Sequence, residues 1–201
     1  YNGDETKILS TNAPISTHVG FIDSFVLAIE KDSGRFFHSG AGAPKSWSAL
    51  DTFAADGKPD NIRAMIITPF REVLLAGDKS IEQFERLQSG TVPFFRRWSV
   101  GEGVTQPYAM MAADNAVFML NRRREVVRFS GQVSGPVGDD IGRALESLDD
   151  VTGAWMGGFP DEPFHVQGQK FVLLQFPNAT TPYGTKGYTF LFDYKRKTWS
   201  T

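Results

Sequence analysis

The sequence predicts an all-β chain of repeated four-stranded antiparallel sheets, with one short amphipathic helix. Three observations carry this. Short apolar or alternating runs are separated by turn residues along most of the chain. The 20 Gly and 11 Pro suit many turns. Hairpin turns at Lys31–Gly34, Gly77–Ser80 and Asn121–Arg124 recur roughly 45 residues apart, the period of a propeller blade. Such a small sheet cannot bury both faces alone, and stacking sheets around an axis solves this while leaving only short edges. A β-sandwich would show closer and less regular strand spacing. The expected fold is therefore a β-propeller, or part of one, spanning 1–201. Its blade-like units fall at about 16–58, 59–104, 105–150 and 151–201. The chain stops inside an apparent strand at Trp199-Ser200-Thr201, as a piece of a longer polypeptide would.

The elements follow in order. Residues 1–20 are polar and turn-rich, and read as an arm or as a strand completing a neighbouring unit. Phe21 and Ile22 close a short strand, Asp23-Ser24 turns, and Phe25–Ile29 is an apolar run typical of a buried strand. Arg35–His38 returns. Gly40–Pro44 is expected as a loop that continues through Trp47, Leu50 and Phe53. In the second unit Ala64–Thr68, Glu72–Ala76 and Ile81–Phe84 are strands. Pro69 ends the first of them, because it lacks the N–H of a ladder. Gly77 is expected to supply an unusual backbone angle to the turn before Ile81. Pro93–Trp98 reads as a further loop. The third unit has Tyr108–Ala112, Ala116–Leu120 and Glu125–Phe129. The fourth has Gly153–Gly157, a turn at 160–163, Lys170–Phe176, a loop over Asn178–Lys186, Gly187–Asp193 and Thr198 onward. One helix stands out, capped by Asp139 or Asp140, with Ile141, Ala144, Leu145 and Leu148 on one face. It packs across a sheet or links two blades. Phe25, Leu27, Leu74, Val117, Phe118, Leu173 and Phe190 are the expected buried strand residues.

Composition narrows the function. A net charge of -2 gives no global basic field, so any nucleic-acid contact is local. Without Cys there is neither disulfide nor thiolate chemistry. No apolar run approaches the roughly 18 residues of a membrane span, so this segment is not expected to insert in a membrane. His18, His38 and His165 are isolated and lack metal-ligand spacing; they read as surface or strand-end residues. Gly77-Asp78-Lys79-Ser80 lacks the upstream Gly and following helix of a phosphate loop. No Gly-x-Ser-x-Gly elbow is present.

Three features remain. Asp23, Asp114 and Asp161 recur at the turn before the second strand of their units, which suits either turn chemistry or a carboxylate pair for glycoside hydrolysis. Arg122, Arg123 and Arg124, with Arg128 nearby, crowd one turn; Lys195, Arg196 and Lys197 crowd another at what reads as an equivalent hairpin. These are either solvated turns or contacts to phosphates or an acidic partner. Trp47, Phe94, Phe95, Trp98 and Tyr183 read as loop aromatics. With Arg96 and Arg97, the stretch Phe94–Trp98 combines the residue types enriched at interface cores.

Several stretches together resemble one family. They are Trp47-Ser48-Ala49-Leu50, Phe53-Ala54-Ala55, Pro59-Asp60-Asn61-Ile62 and Glu72 through Glu82. Pro93-Phe94-Phe95-Arg96-Arg97, Ile141–Leu148, Phe171–Pro177 and Phe192–Trp199 continue the series. In order and spacing, over roughly 18–201, they are similar to the packaged-DNA stabilisation proteins of short-tailed bacteriophages, also called tail accessory factors or tail nozzle subunits. The chain departs from that pattern at Glu102-Gly103-Val104, where Gly-Cys is expected, and at its Arg-rich turn, where a Gly is common. The resemblance implies a virion structural protein without catalytic residues, cofactor or metal. It would form a homo-oligomeric ring, six-fold by likeness, below the portal and its adaptor. The ring would extend the DNA channel, retain packaged double-stranded DNA and carry or contact tail fibres or tailspikes. Its place would be the virion tail, reached from the host cytoplasm during assembly. The competing expectation is a carbohydrate-binding or glycoside-processing propeller that uses the aromatics and turn carboxylates.

Overall fold

The computed structural model describes residues 10, 12–68, 70–87, 92–113, 115–130, 133–158, 171–194 and 196–201. The fold is all-β and propeller-like: the described residues form four four-stranded antiparallel sheets and one short helix. The first sheet holds β1 (Ser16–Ile22), β2 (Phe25–Glu30), β3 (Arg35–Gly40) and β4 (Ala43–Ala54). The second holds β5 (Ile62–Ile67), β6 (Glu72–Gly77), β7 (Ile81–Arg86) and β8 (Phe94–Val100). In the third are β9 (Met110–Ala113), β10 (Ala116–Leu120), β11 (Val126–Phe129) and β12 (Val133–Pro136). Helix α1 (Asp139–Glu146) precedes the fourth sheet, made of β13 (Trp155–Gly158), β14 (Phe171–Thr180), β15 (Lys186–Asp193) and β16 (Thr198–Ser200). Every sheet is a meander whose sequential strands pair, the order that short turns permit. The chain divides into two compact units, one holding the first two sheets and the other holding the last two with the helix.

In the first unit two sheets meet face to face. Alternation sends Phe25, Leu27 and Ile29 of β2 and Phe36 of β3 into one core with Val73 and Leu75 of β6, Phe84 of β7 and Phe94 of β8. Aromatic edges pack there: Phe94 lies 5.6 Å from Phe25, 6.1 Å from Phe36 and 5.9 Å from Phe53, centroid to centroid, all close to T-shaped. Two expected loops are strands. Trp47 lies in β4, and Phe94, Phe95 and Trp98 lie in β8; both are edge strands, where polar residues are tolerated on the open side. His38 is buried, with Phe25, Phe53 and Phe94 around its ring, and its Nδ1 lies 2.8 Å from the Ser39 carbonyl oxygen. Of the expected surface or strand-end positions, His38 takes one near the end of β3, turned inward rather than to the surface.

The turns repeat a backbone device. The residues between first and second strands, Asp23, Arg71 and Asn115, all have φ between 51° and 62°. Gly77 does not need a positive φ, contrary to expectation; a Cβ there would collide with the Asp60 carboxylate. That carboxylate fills the Gly77–Ser80 turn, accepting from the Lys79 N–H (2.6 Å) and the Ser80 hydroxyl (2.8 Å). The Asp60 side chain thus fills the turn that the sequence already excludes as a phosphate loop.

The second unit packs Phe118, Val172, Leu174, Phe176, Phe190 and Phe192 as buried residues. Leu173 is only half-buried, a correction that follows from period 2: it points away from Val172 and Leu174. The expected strand at Tyr108 starts later, at Met110; Tyr108 instead bridges Trp155, and its carbonyl accepts the Met156 N–H at 2.8 Å. Strand β14 continues to Thr180, so the expected loop shrinks to the turn 181–185. The helix is not capped by an aspartate. Its N-cap is Gly138, at φ 106°, and Asp140 Oδ2 accepts the Trp199 N–H at 3.3 Å. The Trp199 indole N–H donates to the Val137 carbonyl (3.1 Å), so the helix start is tied to β16. A Cβ at Gly138 would overlap that indole.

Candidate functional site

The expected site residues separate once geometry is considered. Phe94 is core, 1% exposed, and unavailable to a partner. Arg96 bonds Asp56 and lies 3.2 Å from Glu82 Oε2, and these two carboxylates, Asp56 first, raise its pKa. Glu82 is fully buried, and its other oxygen accepts the Gly57 N–H at 2.8 Å. Arg96 therefore locks the 55–61 connection onto β7. Arg97 lies 3.5 Å from Glu85, with its side chain 60% exposed. Phe95 and Trp98 are half-buried. Tyr183 is exposed at the 181–185 turn.

Asp23 is more than a turn former. Its carboxylate, 11% exposed, bonds Arg86 (2.6 Å) and Arg71, and these bonds, Arg86 first, hold it below the usual carboxylate range. Arg86 also lies over the Phe25 ring at 5.3 Å. The arrangement keeps Asp23 ionised and engaged by two cations. Asp114, Asp161, His165 and Lys195 lie outside the described residues.

The two basic turns differ in position. Asn121–Arg124 joins the second and third strands of its sheet, whereas the 194–197 turn joins the third and fourth of its own. The expected equivalence fails because the second-to-third turn of the last sheet is at 181–185. Within the first turn, Asn121 is buried, and its Oδ1 accepts the N–H groups of Arg123 and Glu125, both at 2.9 Å. Arg123 Nε donates to Glu125 (2.9 Å), and Arg123 also reaches Glu102 (3.4 Å). Arg124 donates to the Glu146 and Leu148 carbonyls at 3.2 and 2.7 Å, satisfying the open end of α1. Arg122 is exposed and has no ion pair among the described residues. In the other turn, Arg196 Nε lies 3.8 Å from Asp193, while Lys197 is exposed at φ 55°.

One residue from each basic stretch converges on a single cavity. Arg128 of β11 and Lys197 line a space of about 420 Å³ with Phe118, Phe192, Tyr194, Val137 and Gly138. Phe118 and Tyr194 are nearly parallel (21°), with centroids 6.3 Å apart; Phe192 lies 6.0 Å from Phe118. The cavity exists because Arg128 sits opposite Phe118 across the β10–β11 ladder, while the Asp193–Lys197 turn carries Tyr194 and Lys197. Its lining combines aromatic and apolar side chains with Lys197 and with Arg128, whose Nη1 lies 3.5 Å from the Ser130 hydroxyl.

A scan against protein-family models finds no match, and a search of curated proteins finds none. A search of solved structures finds similarity to Drosophila Plexin A, solved in complex with Semaphorin 1b, at 11% identity and a TM-score of 0.49. The match covers 92% of this chain and 38% of that one, so the chain spans well under half of that protein.

Proposed function

We propose that the chain is a structural protein of a short-tailed bacteriophage tail. It is a subunit of a closed homo-oligomeric ring, six-fold by likeness, below the portal and its adaptor. There it extends the DNA channel, retains packaged double-stranded DNA and contacts fibre or tailspike proteins. The reading assigns no reaction to the chain. One observation carries it: the ordered series of resembling stretches from Trp47 to Trp199. Two surface features support it. Strand β8 is an edge with Arg97 exposed and Phe95 and Trp98 half-covered, residue types that suit a heterologous ring contact. Arg122 and Lys197 are exposed cations suited to phosphate.

Cryo-electron microscopy of a tail particle containing this chain tests the reading. Six copies around the channel, with β8 against a neighbour, are expected. A single copy per particle, or a β8 that touches no neighbour, overturns the ring.

A further inference from the structure

We propose that Asp56–Gly57 is a latent self-modification site, a succinimide-forming step that the Glu82–Arg96 lock holds shut. It is the one Asp-Gly step in the sequence. Glycine has no Cβ to hinder attack by its own nitrogen on the preceding side chain. In that reaction the Gly57 nitrogen bonds to Cγ of the Asp56 carboxyl in its acid form. The amide proton and the Cγ hydroxyl leave together as water. Water then opens the five-membered imide at either carbonyl. Opening at the main-chain carbonyl gives isoaspartate, with the chain running through Cγ; opening at Cγ restores aspartate. The sequence of steps needs no oxidant, reductant or further reactant than water.

The site is open to water, because the Asp56 side chain is 71% exposed. Both reacting groups are nevertheless held. The Gly57 N–H donates to Glu82 Oε1 at 2.8 Å. Arg96 Nη1 donates to Asp56 Oδ1 and lies 3.2 Å from Glu82 Oε2. These are bonds to charged groups, stronger than neutral ones. Glu82 is fully buried in β7, so it cannot follow the loop outward. Gly57 also has little room: a Cβ there would lie 2.6 Å from Ser99 Oγ and 2.9 Å from Glu82 Oε1. Ring closure must take the Gly57 nitrogen away from Glu82 and the Asp56 carboxyl away from Arg96. The lock that fixes the 55–61 connection therefore also keeps its own chemistry from running. The inference is independent of the tail reading.

The test ages the 1–201 chain in mildly acidic buffer and follows isoaspartate at position 56 by peptide mapping with electron-transfer fragmentation. Isoaspartate should form at least about tenfold more slowly in the folded chain than in a free peptide of residues 53–59. Arg96→Gln frees the Asp56 carboxyl, and Glu82→Gln weakens the hold on both groups while keeping the side-chain shape. Each should raise the rate about tenfold over the parent. Val73→Ala is the control for general loosening. It removes core packing from the same unit and touches neither bond, so it should age like the parent. A parent that ages as fast as the peptide overturns the proposal. So do two lock variants that age like the parent, or a Val73→Ala that ages as fast as they do.

Discussion

The two units treat their arginines differently. In the first unit every arginine has a carboxylate partner: Arg35 with Glu30, Arg63 with Asp78, Arg71 and Arg86 with Asp23, Arg96 with Asp56 and Glu82, and Arg97 with Glu85. In the second unit Arg123 and Arg196 are paired with Glu125, Glu102 and Asp193, but Arg122 has no ion pair among the described residues and Arg124 bonds carbonyls. Cation count alone would not distinguish the units. What distinguishes them is where acids fall in space. The first unit's arginines connect strands and turns through carboxylates, whereas in the second unit Arg124 closes the end of a helix and Arg122 is exposed with no ion pair among the described residues.

The comparison breaks most sharply at the first unit's core. Phe94→Ala should cost about 3–5 kcal/mol through lost burial and a cavity among Phe25, Phe36 and Phe53. Phe95→Ala, one residue along β8, should cost well under half of that, because its ring is only half-buried. Chemical denaturation of both variants checks the pair. Equal losses would mean that β8 does not divide into an inner and an outer face.

Next in size is the buried lock. Glu82→Ala leaves Arg96 with Asp56 alone and orphans the Gly57 N–H, so a loss of about 2–4 kcal/mol is expected. Arg123→Ala in the other unit removes an exposed pair and should cost under about 1 kcal/mol. If the two variants melt alike, burial does not set the Glu82 lock apart from the exposed Arg123 pair.

Acid should report the same division more gently. Bonds from Arg86 and Arg71 lower the Asp23 pKa; Ser33 and Arg35 lower that of Glu30 against an opposing burial effect; Thr180 and Thr152 lower those of Asp149 and Asp150. A depressed folded-state pKa means stability that is fully present above the unfolded value and is lost as pH falls through the folded one. Stability should therefore be flat near neutrality and decline below about pH 4. Asp23→Asn should lower stability at pH 7 and shallow the acid decline. A parent whose stability rises on acidification would contradict these pairings.

Much of the fold was legible because period-2 runs and turn residues are local signals. Phe25–Ile29, Glu72–Ala76 and Ala116–Leu120 are strands within a residue of where the pattern puts them. Edge strands β4 and β8 were not legible: Pro44, the serines and the paired arginines read as loop when one side of a strand faces water. Glu82 is a charged residue inside the Ile81–Phe84 run, and nothing local in the sequence calls for its burial. The groups that justify its burial, Gly57 N–H and Arg96, come from other segments. The cavity was illegible for the same reason. Arg128 and Lys197 belong to separate basic stretches, and only the packing of β11 near the 194–197 turn brings them together. The sequence named the cations without showing which of them acids or carbonyls would engage.

The smallest expected effect on stability is the most informative about function. Arg122→Ser with Lys197→Ser should change stability by no more than about 0.5 kcal/mol, because both side chains are exposed. If the chain contacts packaged DNA through available cations, this pair should weaken sequence-independent duplex binding. It should also flatten the plot of log affinity against log salt by about 0.9 for each phosphate contact removed. Arg123→Ser with Arg124→Ser removes the same formal charge from side chains already bonded to Glu125, Glu102 and the end of α1. That second pair should leave the slope nearly unchanged while lowering stability. Fluorescence anisotropy with a short duplex at several salt concentrations separates the two. A slope that responds equally to both pairs would mean that internal bonding does not withdraw an arginine from phosphate. A slope that responds to neither would place any DNA contact elsewhere on the chain.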